Sequence, residues 1–413
     1  MANATRGEGR TTVFYSDKEA KQVYRIPSLF YDGDRGVLMA FAERRQTTND
    51  ASAEELVMKT GRLLRQEAPP QMSVEVVSSS YLTLMCVGAH KSASRLSFQW
   101  SKAITVVDKT RLGGYRPMNP CPVYERNSRT LFLVFICVEG TTSETWQRFW
   151  GINKARLCYM TSKDGGQTWS DVTDLTKKLP EIENWATFAV GPGHGVQAAS
   201  GRLIIPTYAY GSCGPSCSCI ACFCAVPRAL SLYSDDQGVT WRFGQTLETI
   251  SIECEMAEVC DDGGNRYVYC NARSQGGFRV EALSDDGGDD FITLPPAQQL
   301  VETAGGCQGS VVSFPAQVDG AGGGQDPRWL LYSHPSSKDR RTDLGIYLNK
   351  APKDPHSWSR PWIINQGPSG YSDLAYIDGG WFACLMERGI ESEVEQIACD
   401  IFSYHQVSNS LEE

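Results

Sequence analysis

Ser162-Lys-Asp-Gly-Gly-Gln-Thr-Trp169 returns further along the chain as Ser234-Asp-Asp-Gln-Gly-Val-Thr-Trp241, and a worn copy follows as Ser284-Asp-Asp-Gly-Gly-Asp-Asp-Phe291. The shared pattern is S-x-D-x-G-x-T-W, and two nearly complete copies are not a chance event. Each copy reads as a hairpin turn. The aspartate carboxylate accepts main-chain N–H groups across the turn, glycine supplies φ > 0, and the aromatic anchors the returning strand. The flanking runs Arg156 to Met160 and Leu230 to Tyr233 read as strands. One hairpin repeated every ~50 to 70 residues among short strands predicts propeller blades. A calcium-loop reading fails, because the D-x-[DN]-x-[DN]-G run with its closing glutamate is missing.

Outward from this repeat, the bulk numbers agree with an all-β chain. The 413 residues suit one large domain or two ordinary ones, and the 39 glycines favour many short strands joined by turns. The formal charge of −9 argues against broad nucleic-acid binding, and no such motif is present. A local basic pocket stays open, since net charge speaks to solubility rather than to sites. The opening stretch Met1 to Thr12 has no apolar core and does not read as a secretory signal. The longest apolar candidate, around Tyr81 to Ala89, falls well short of the ~20 residues that span a bilayer.

Fifteen cysteines without a signal peptide suggest free thiols in a reducing compartment. Cys213, Cys217, Cys219, Cys222 and Cys224 cluster in one loop. Paired CxxC knuckles are absent, so a zinc module is disfavoured. Thiols available for acylation are one reading, and a cysteine-rich loop with no chemical role is the preferred one.

The repeat is the Asp-box of sialidases, and Tyr24-Arg25-Ile26-Pro27 resembles that family's Y-R-I-P signature. Arg116-Pro-Met-Asn-Pro-Cys-Pro122, Phe188-Ala-Val-Gly-Pro-Gly193 and Gly306-Cys-Gln-Gly-Ser-Val311 resemble the vertebrate cytosolic and membrane-associated branch. Within it, Val268-Tyr-Cys-Asn-Ala-Arg273 and Arg279-Val-Glu-Ala-Leu283 are most similar to plasma-membrane, ganglioside-preferring sialidases. The resemblance runs almost the whole length and implies a single six-bladed β-propeller over 1–413 that hydrolyses terminal sialic acid. One segment departs from it. Between about Gln66 and Arg95 the chain carries extra residues, Ser78 to Ala89 among them, read here as a poorly ordered surface insertion.

The chemistry follows from the substrate. Sialic acid bears a carboxylate on its anomeric carbon, and planar guanidinium groups suit a carboxylate best. The resemblance assigns three of them: Arg25 in YRIP, Arg273 in Asn-Ala-Arg, and Arg341 just before Asp343-Leu-Gly345. That carboxylate would repel an anionic nucleophile, and the resemblance implies the neutral tyrosine that sialidases use instead. Tyr371, in Gly370-Tyr-Ser-Asp-Leu374, matches the nucleophile. A phenol is weakly nucleophilic at neutral pH, and Glu253 in Ile252-Glu-Cys254 matches the base that activates it. Asp50, after Arg44-Arg45-Gln-Thr-Thr-Asn49, matches the acid/base carboxylate. Glu387 in Cys384-Leu-Met-Glu387 matches the carboxylate that orients the first arginine, with Met386 standing where the family commonly has an aromatic. Arg45, Met118, Glu144, Tyr208, Tyr210 and Gln308 match positions that contact the sugar's substituents.

No metal or organic cofactor is required by this mechanism, and neither HExxH nor a phosphate loop occurs. Expected partners are sialylated glycolipids and glycoproteins, with no nucleic acid. Membrane association, implied by resemblance alone, would be peripheral at the plasma membrane or endosome, through acylated cysteines of the 213–224 loop, an apolar patch or partners; a cytoplasmic location is the alternative. A sialic-acid-binding propeller without catalysis is the rival class, separated by its having no need of Asp50, Glu253 and Tyr371 together.

Overall fold

The computed structural model describes residues 10–66, 95–211, 225–317 and 327–412. An N-terminal strand, β1 (Thr11–Tyr15), precedes the first sheet, made of β2 (Val23–Asp32), β3 (Val37–Arg45), β4 (Ala53–Gln66), β5 (Arg95–Trp100) and β6 (Ile104–Asp108). The second contains β7 (Tyr115–Glu125), β8 (Thr130–Glu139), β9 (Ala155–Ser162) and β10 (Thr173–Asp174), with helix α1 (Glu144–Trp150) between β8 and β9. The third holds β11 (Trp185–Val190), β12 (Val196–Gln197), β13 (Leu203–Gly211), β14 (Pro227–Ser234) and β15 (Arg242–Phe243). The fourth is β16 (Ile252–Cys260), β17 (Arg266–Arg273), β18 (Val280–Ser284) and β19 (Ile292–Thr293). The last unites β20 (Ser310–Pro315), β21 (Arg328–Pro335), β22 (Thr342–Asn349), β23 (Trp362–Ile377), β24 (Trp381–Arg388) and β25 (Gln396–Ser403) with β1, ahead of helix α2 (Tyr404–Glu412).

The sheets are antiparallel and arranged like propeller blades. β2 packs beside β7 and β23, β13 beside β7 and β16, and β20 beside β16 and β23, so the inner strands form a closed cycle. Closure is tied by the chain ends, because β1 pairs with β25, Thr11 opposite Cys399.

The expectation of six separate blades is corrected by the hydrogen bonding. Four sheets of four or five strands stand separately, and seven strands join in one. The cause is β23, which is 16 residues long and changes partner along its length. Its first part pairs with β22, Ile346 opposite Trp362, and its second part pairs with β24, Tyr376 opposite Phe382.

The three repeats are the turns after β9, β14 and β18, each leading into the last strand of its sheet. Their hydrogen bonds superimpose. Ser162 Oγ donates to Asp164 Oδ1 at 2.8 Å and accepts from Gly166 N, while Thr168 donates both its amide and its hydroxyl to Asp164. Ser234, Asp236, Gly238 and Thr240 repeat this set, and Ser284, Asp286 and Gly288 repeat most of it. Gly238 has φ +88°, and a Cβ there would lie 2.4 Å from the Phe132 ring. The turn aromatics are wedges between sheets: Trp169 packs edge-on against Phe41 of the preceding sheet, and Trp241 against Phe132 of its own preceding sheet. The turn thus fixes both the hairpin and the angle between neighbouring sheets.

The anticipated insertion lies outside the described residues except at its ends, where Gln66 and Arg95 pair in the β4–β5 ladder. The cysteine-rich 213–224 segment also lies outside them. The nine cysteines among the described residues are free and buried. Among the same residues, no helix is long and apolar enough to cross a membrane.

Candidate active site

The strands that feed the site do not run straight into it. Register shifts interrupt β2 between Arg25 and Ser28, β7 between Met118 and Cys121, β16 between Ile252 and Cys254, β22 between Thr342 and Leu344, and β23 between Ser369 and Ser372. At four of these bulges a non-glycine residue has positive φ: Ile26 (+58°), Asn119 (+56°), Glu253 (+35°) and Asp343 (+61°). Such conformations persist only where the surroundings hold them. Glu387 accepts the amide of Ile26 at 2.9 Å, and Glu43 accepts that of Asn119 at 2.8 Å. The bulges turn side chains inward at one end of the cycle, into a cavity of about 610 Å³.

Asp50, Glu253, Tyr371, Arg25, Arg45, Met118, Glu144, Tyr208, Tyr210, Arg273 and Arg341 all line that cavity, gathered from all five sheets, from helix α1 and from the connecting segments that carry Asp50 and Arg341. At its floor the Tyr371 hydroxyl donates to Glu253 Oε1. Arg273 joins the pair, reaching Glu253 Oε2 at 2.7 Å and the Tyr371 oxygen at 3.1 Å. Burial pushes the Tyr371 phenol well above its ordinary range and Glu253 adds to this, while Arg273 and Arg341 pull the other way. The phenol is therefore held protonated, with its proton already directed at a carboxylate.

Three guanidinium groups surround the tyrosine. Arg25 stands 5.6 Å and Arg341 5.2 Å from the centre of its ring. Arg25 is clamped by Glu387 through Nε–Oε1 at 2.6 Å and Nη2–Oε2 at 3.2 Å. Burial alone would weaken the Arg25 charge, but Glu387 overrides it and keeps the guanidinium more firmly protonated than usual. Arg341 instead donates to the Gly306 carbonyl at 2.8 and 3.1 Å. No carboxylate among the described residues pairs with it, so its charge is directed to whatever fills the cavity.

The rim is polar and the far wall mixed. Asp50 is 71% exposed and held by Arg45, Nη1 to Oδ1 at 2.5 Å, while Glu43 grips the other side of Arg45 at 2.6 Å. Met118, Tyr208 and Tyr210 line the same cavity, with Arg148 of α1 stacked 4.4 Å over the Tyr210 ring. Glu144 opens α1, its side chain 43% exposed and its Oε1 3.3 Å from Arg148 Nη1.

Gln308 is the exception. It is fully buried and does not line the cavity. Its Nε2 donates to the Pro192 carbonyl at 3.0 Å and its Oε1 accepts the Ser372 amide at 3.1 Å, so it holds the strand of Tyr371 rather than facing the cavity. Glu387 is also beneath the surface, as its orienting role requires. Two residues escaped the sequence reading. Arg116 lines the cavity and donates to the Thr142 carbonyl at 2.9 Å, fastening the turn before α1. Its signal was present, since it opens the Arg116–Pro122 segment. Glu43 gave none, because a glutamate in a strand ordinarily faces water.

A family model described as a BNR repeat-like domain matches residues 87–384. Sialidase-3 of Rattus norvegicus is 41% identical over 433 residues, covering 96% of this chain and 95% of that one. The chain belongs to the sialidase family. It is an exo-alpha-sialidase, a glycoside hydrolase. Sialidase-2 of Cricetulus griseus is 39% identical to this sialidase over 380 residues, covering 90% of each chain. Among solved structures, the Hadza microbial sialidase Hz136 superposes with a TM-score of 0.73 at 20% identity, over 96% of this sialidase and 69% of that chain. The architecture is therefore kept across sequences that share one residue in five.

Proposed function

We propose that this sialidase is a retaining hydrolase whose nucleophile is Tyr371. The observation that carries the reading is the buried Tyr371–Glu253 hydrogen bond bridged by Arg273. Arg25, Arg273 and Arg341 take the sugar carboxylate. The Tyr371 oxygen attacks the anomeric carbon as its proton passes to Glu253, and the glycosidic C–O bond breaks. Asp50 at the rim gives its proton to the departing oxygen. Asp50 then takes a proton from water, which attacks the same carbon; the Tyr371–carbon bond breaks, and Glu253 returns the proton to the phenolate. Two inversions give net retention.

Gangliosides are the proposed substrates and peripheral contact with their membrane the proposed setting. Support comes from α1. Glu144, Gln147 and Arg148 face the cavity, whereas Phe149, Trp150 and Ile152 at its edge are 56%, 59% and 48% exposed, with Trp146 beside them. Exposed tryptophan and phenylalanine beside a mouth that must receive a lipid-linked sugar suit a headgroup interface.

Tyr371→Phe tests the reading. Cleavage of a fluorogenic sialoside falls by on the order of 10³-fold or more while the melting temperature holds, and proton NMR of the parent's first product shows the α-anomer. Unchanged turnover by the variant, or a first-formed β-anomer, rejects it.

A further inference from the structure

His194, Glu255 and Asp373 meet between the inner strands β16 and β23, and none of them lines the catalytic cavity. His194 Nδ1 lies 2.8 Å from Asp373 Oδ1 and 3.4 Å from Glu255 Oε2, and one ligand atom from each residue lies within 4.8 Å of the others. Both carboxylates are fully buried. Asp373 is well supplied: it accepts from the amides of Leu29 and Leu374 and from the Ser310 hydroxyl. Glu255 is not. Its Oε1 accepts the His194 amide at 2.8 Å, but its Oε2 is buried, has no hydrogen-bond partner and points at the His194 ring. Among the described residues, no lysine or arginine pairs with either carboxylate. Two buried acids with one bare oxygen, faced by a single imidazole, are an expensive arrangement unless something positive joins them.

We propose that this cluster is a binding site for a divalent transition metal of the zinc class, held by His194 Nδ1, Glu255 Oε2 and Asp373 Oδ1. One imidazole nitrogen and two carboxylate oxygens suit zinc, whereas calcium wants six or more oxygens. Tetrahedral zinc sets its ligand atoms about 3.4 Å apart; His194 Nδ1 stands 3.4 Å from Glu255 Oε2 and 2.8 Å from Asp373 Oδ1, and all three ligand atoms fall within 4.8 Å of one another. His194 also lines a second cavity of about 340 Å³ with Gln197, Glu258 and Tyr376, which leaves an approach and room for a water as fourth ligand. That cavity lies at the other end of the inner strands: along β16 the order is Glu253, Glu255, Glu258, and along β23 it is Tyr371, Asp373, Tyr376. The metal would pin β16, β23 and the Gly193–His194 loop together one layer beneath the Tyr371–Glu253 pair. It is a structural ion, remote from the reacting atoms.

The test uses the full chain, stripped with a chelator, loaded with zinc chloride, desalted and assayed for zinc by mass spectrometry, beside Glu255→Gln and His194→Gln. The cysteines could hold zinc of their own, so the difference between variants is the readout. The parent should carry about one zinc more per chain than either variant, and micromolar zinc should raise its melting temperature by about 5 °C and theirs not at all. Near-isosteric Glu255→Gln keeps the packing, and partly exposed His194→Gln serves if the first does not fold. Equal zinc content in parent and variant, or a melting temperature indifferent to zinc in the parent, overturns the proposal and leaves Glu255 as a buried acid.

Discussion

The main-chain amide of Tyr371 donates to Glu387 Oε2 at 3.1 Å, and the same carboxylate clamps Arg25. One buried glutamate therefore spaces the tyrosine against the arginine above it. Glu387→Gln keeps the shape but leaves a buried guanidinium without its counter-charge. Removing one partner of such a pair costs about 3 kcal/mol or more. Urea denaturation should show this loss, and KM for a soluble sialoside should rise because Arg25 is no longer aimed.

Glu281 should make the stability depend on pH. Its Oε1 accepts from Tyr269 and Trp358, its Oε2 is buried without a partner, and burial raises its pKa to about 7. The sign is that of an acid raised on folding. Below the unfolded value near 4.5 the group is neutral in both states and contributes nothing; between there and about 7 the unfolded state loses its proton first, so stability falls as pH rises. The total is on the order of 3 kcal/mol. Glu281→Gln should flatten the melting-temperature profile between pH 5 and 8, and a variant profile as steep as the parent's would reject this account.

The aromatic edge of α1 should separate lipid from soluble substrates. Phe149 and Trp150 stack edge-to-face with centroids 5.0 Å apart, and neither lines the cavity. In Phe149→Ala/Trp150→Ala, release of sialic acid from ganglioside in vesicles should fall about tenfold or more, given the apolar area lost to the interface. Cleavage of a small fluorogenic sialoside should hold. Equal loss on both substrates would mean that α1 serves only to support Tyr210 and Arg148.

Gly238→Ala probes the wedge between sheets. The substitution meets a positive φ and a Cβ placed against the Phe132 ring. Strain and overpacking together should cost about 2 kcal/mol or more, read as a lower denaturation midpoint with active-site parameters intact at low temperature.

The repeat was legible because its hydrogen bonds are local. Ser162, Asp164, Gly166 and Thr168 satisfy one another within a few residues, so pattern and structure coincide. Arg25, Arg273, Glu253 and Tyr371 were legible in a different way, through short runs that resemble a family, and they do line one cavity. Gln308 shows the limit of that route. Its run matched, but its side chain turns inward to Pro192 and Ser372.

The number of separate sheets was beyond the sequence, because nothing in residues 362–377 announces that one strand changes partners midway. So were Glu43 and the His194–Glu255–Asp373 cluster, whose members are far apart in the chain and unremarkable alone. By itself, the sequence determined the hairpins, the all-β class and the identity of the groups available for chemistry, since these depend on contacts a few residues long. Only the tertiary structure decided which of those groups face the cavity. Bulges in four of the inner strands, β2, β7, β16 and β23, turn the main chain beside the cavity, and that turn aims the side chains.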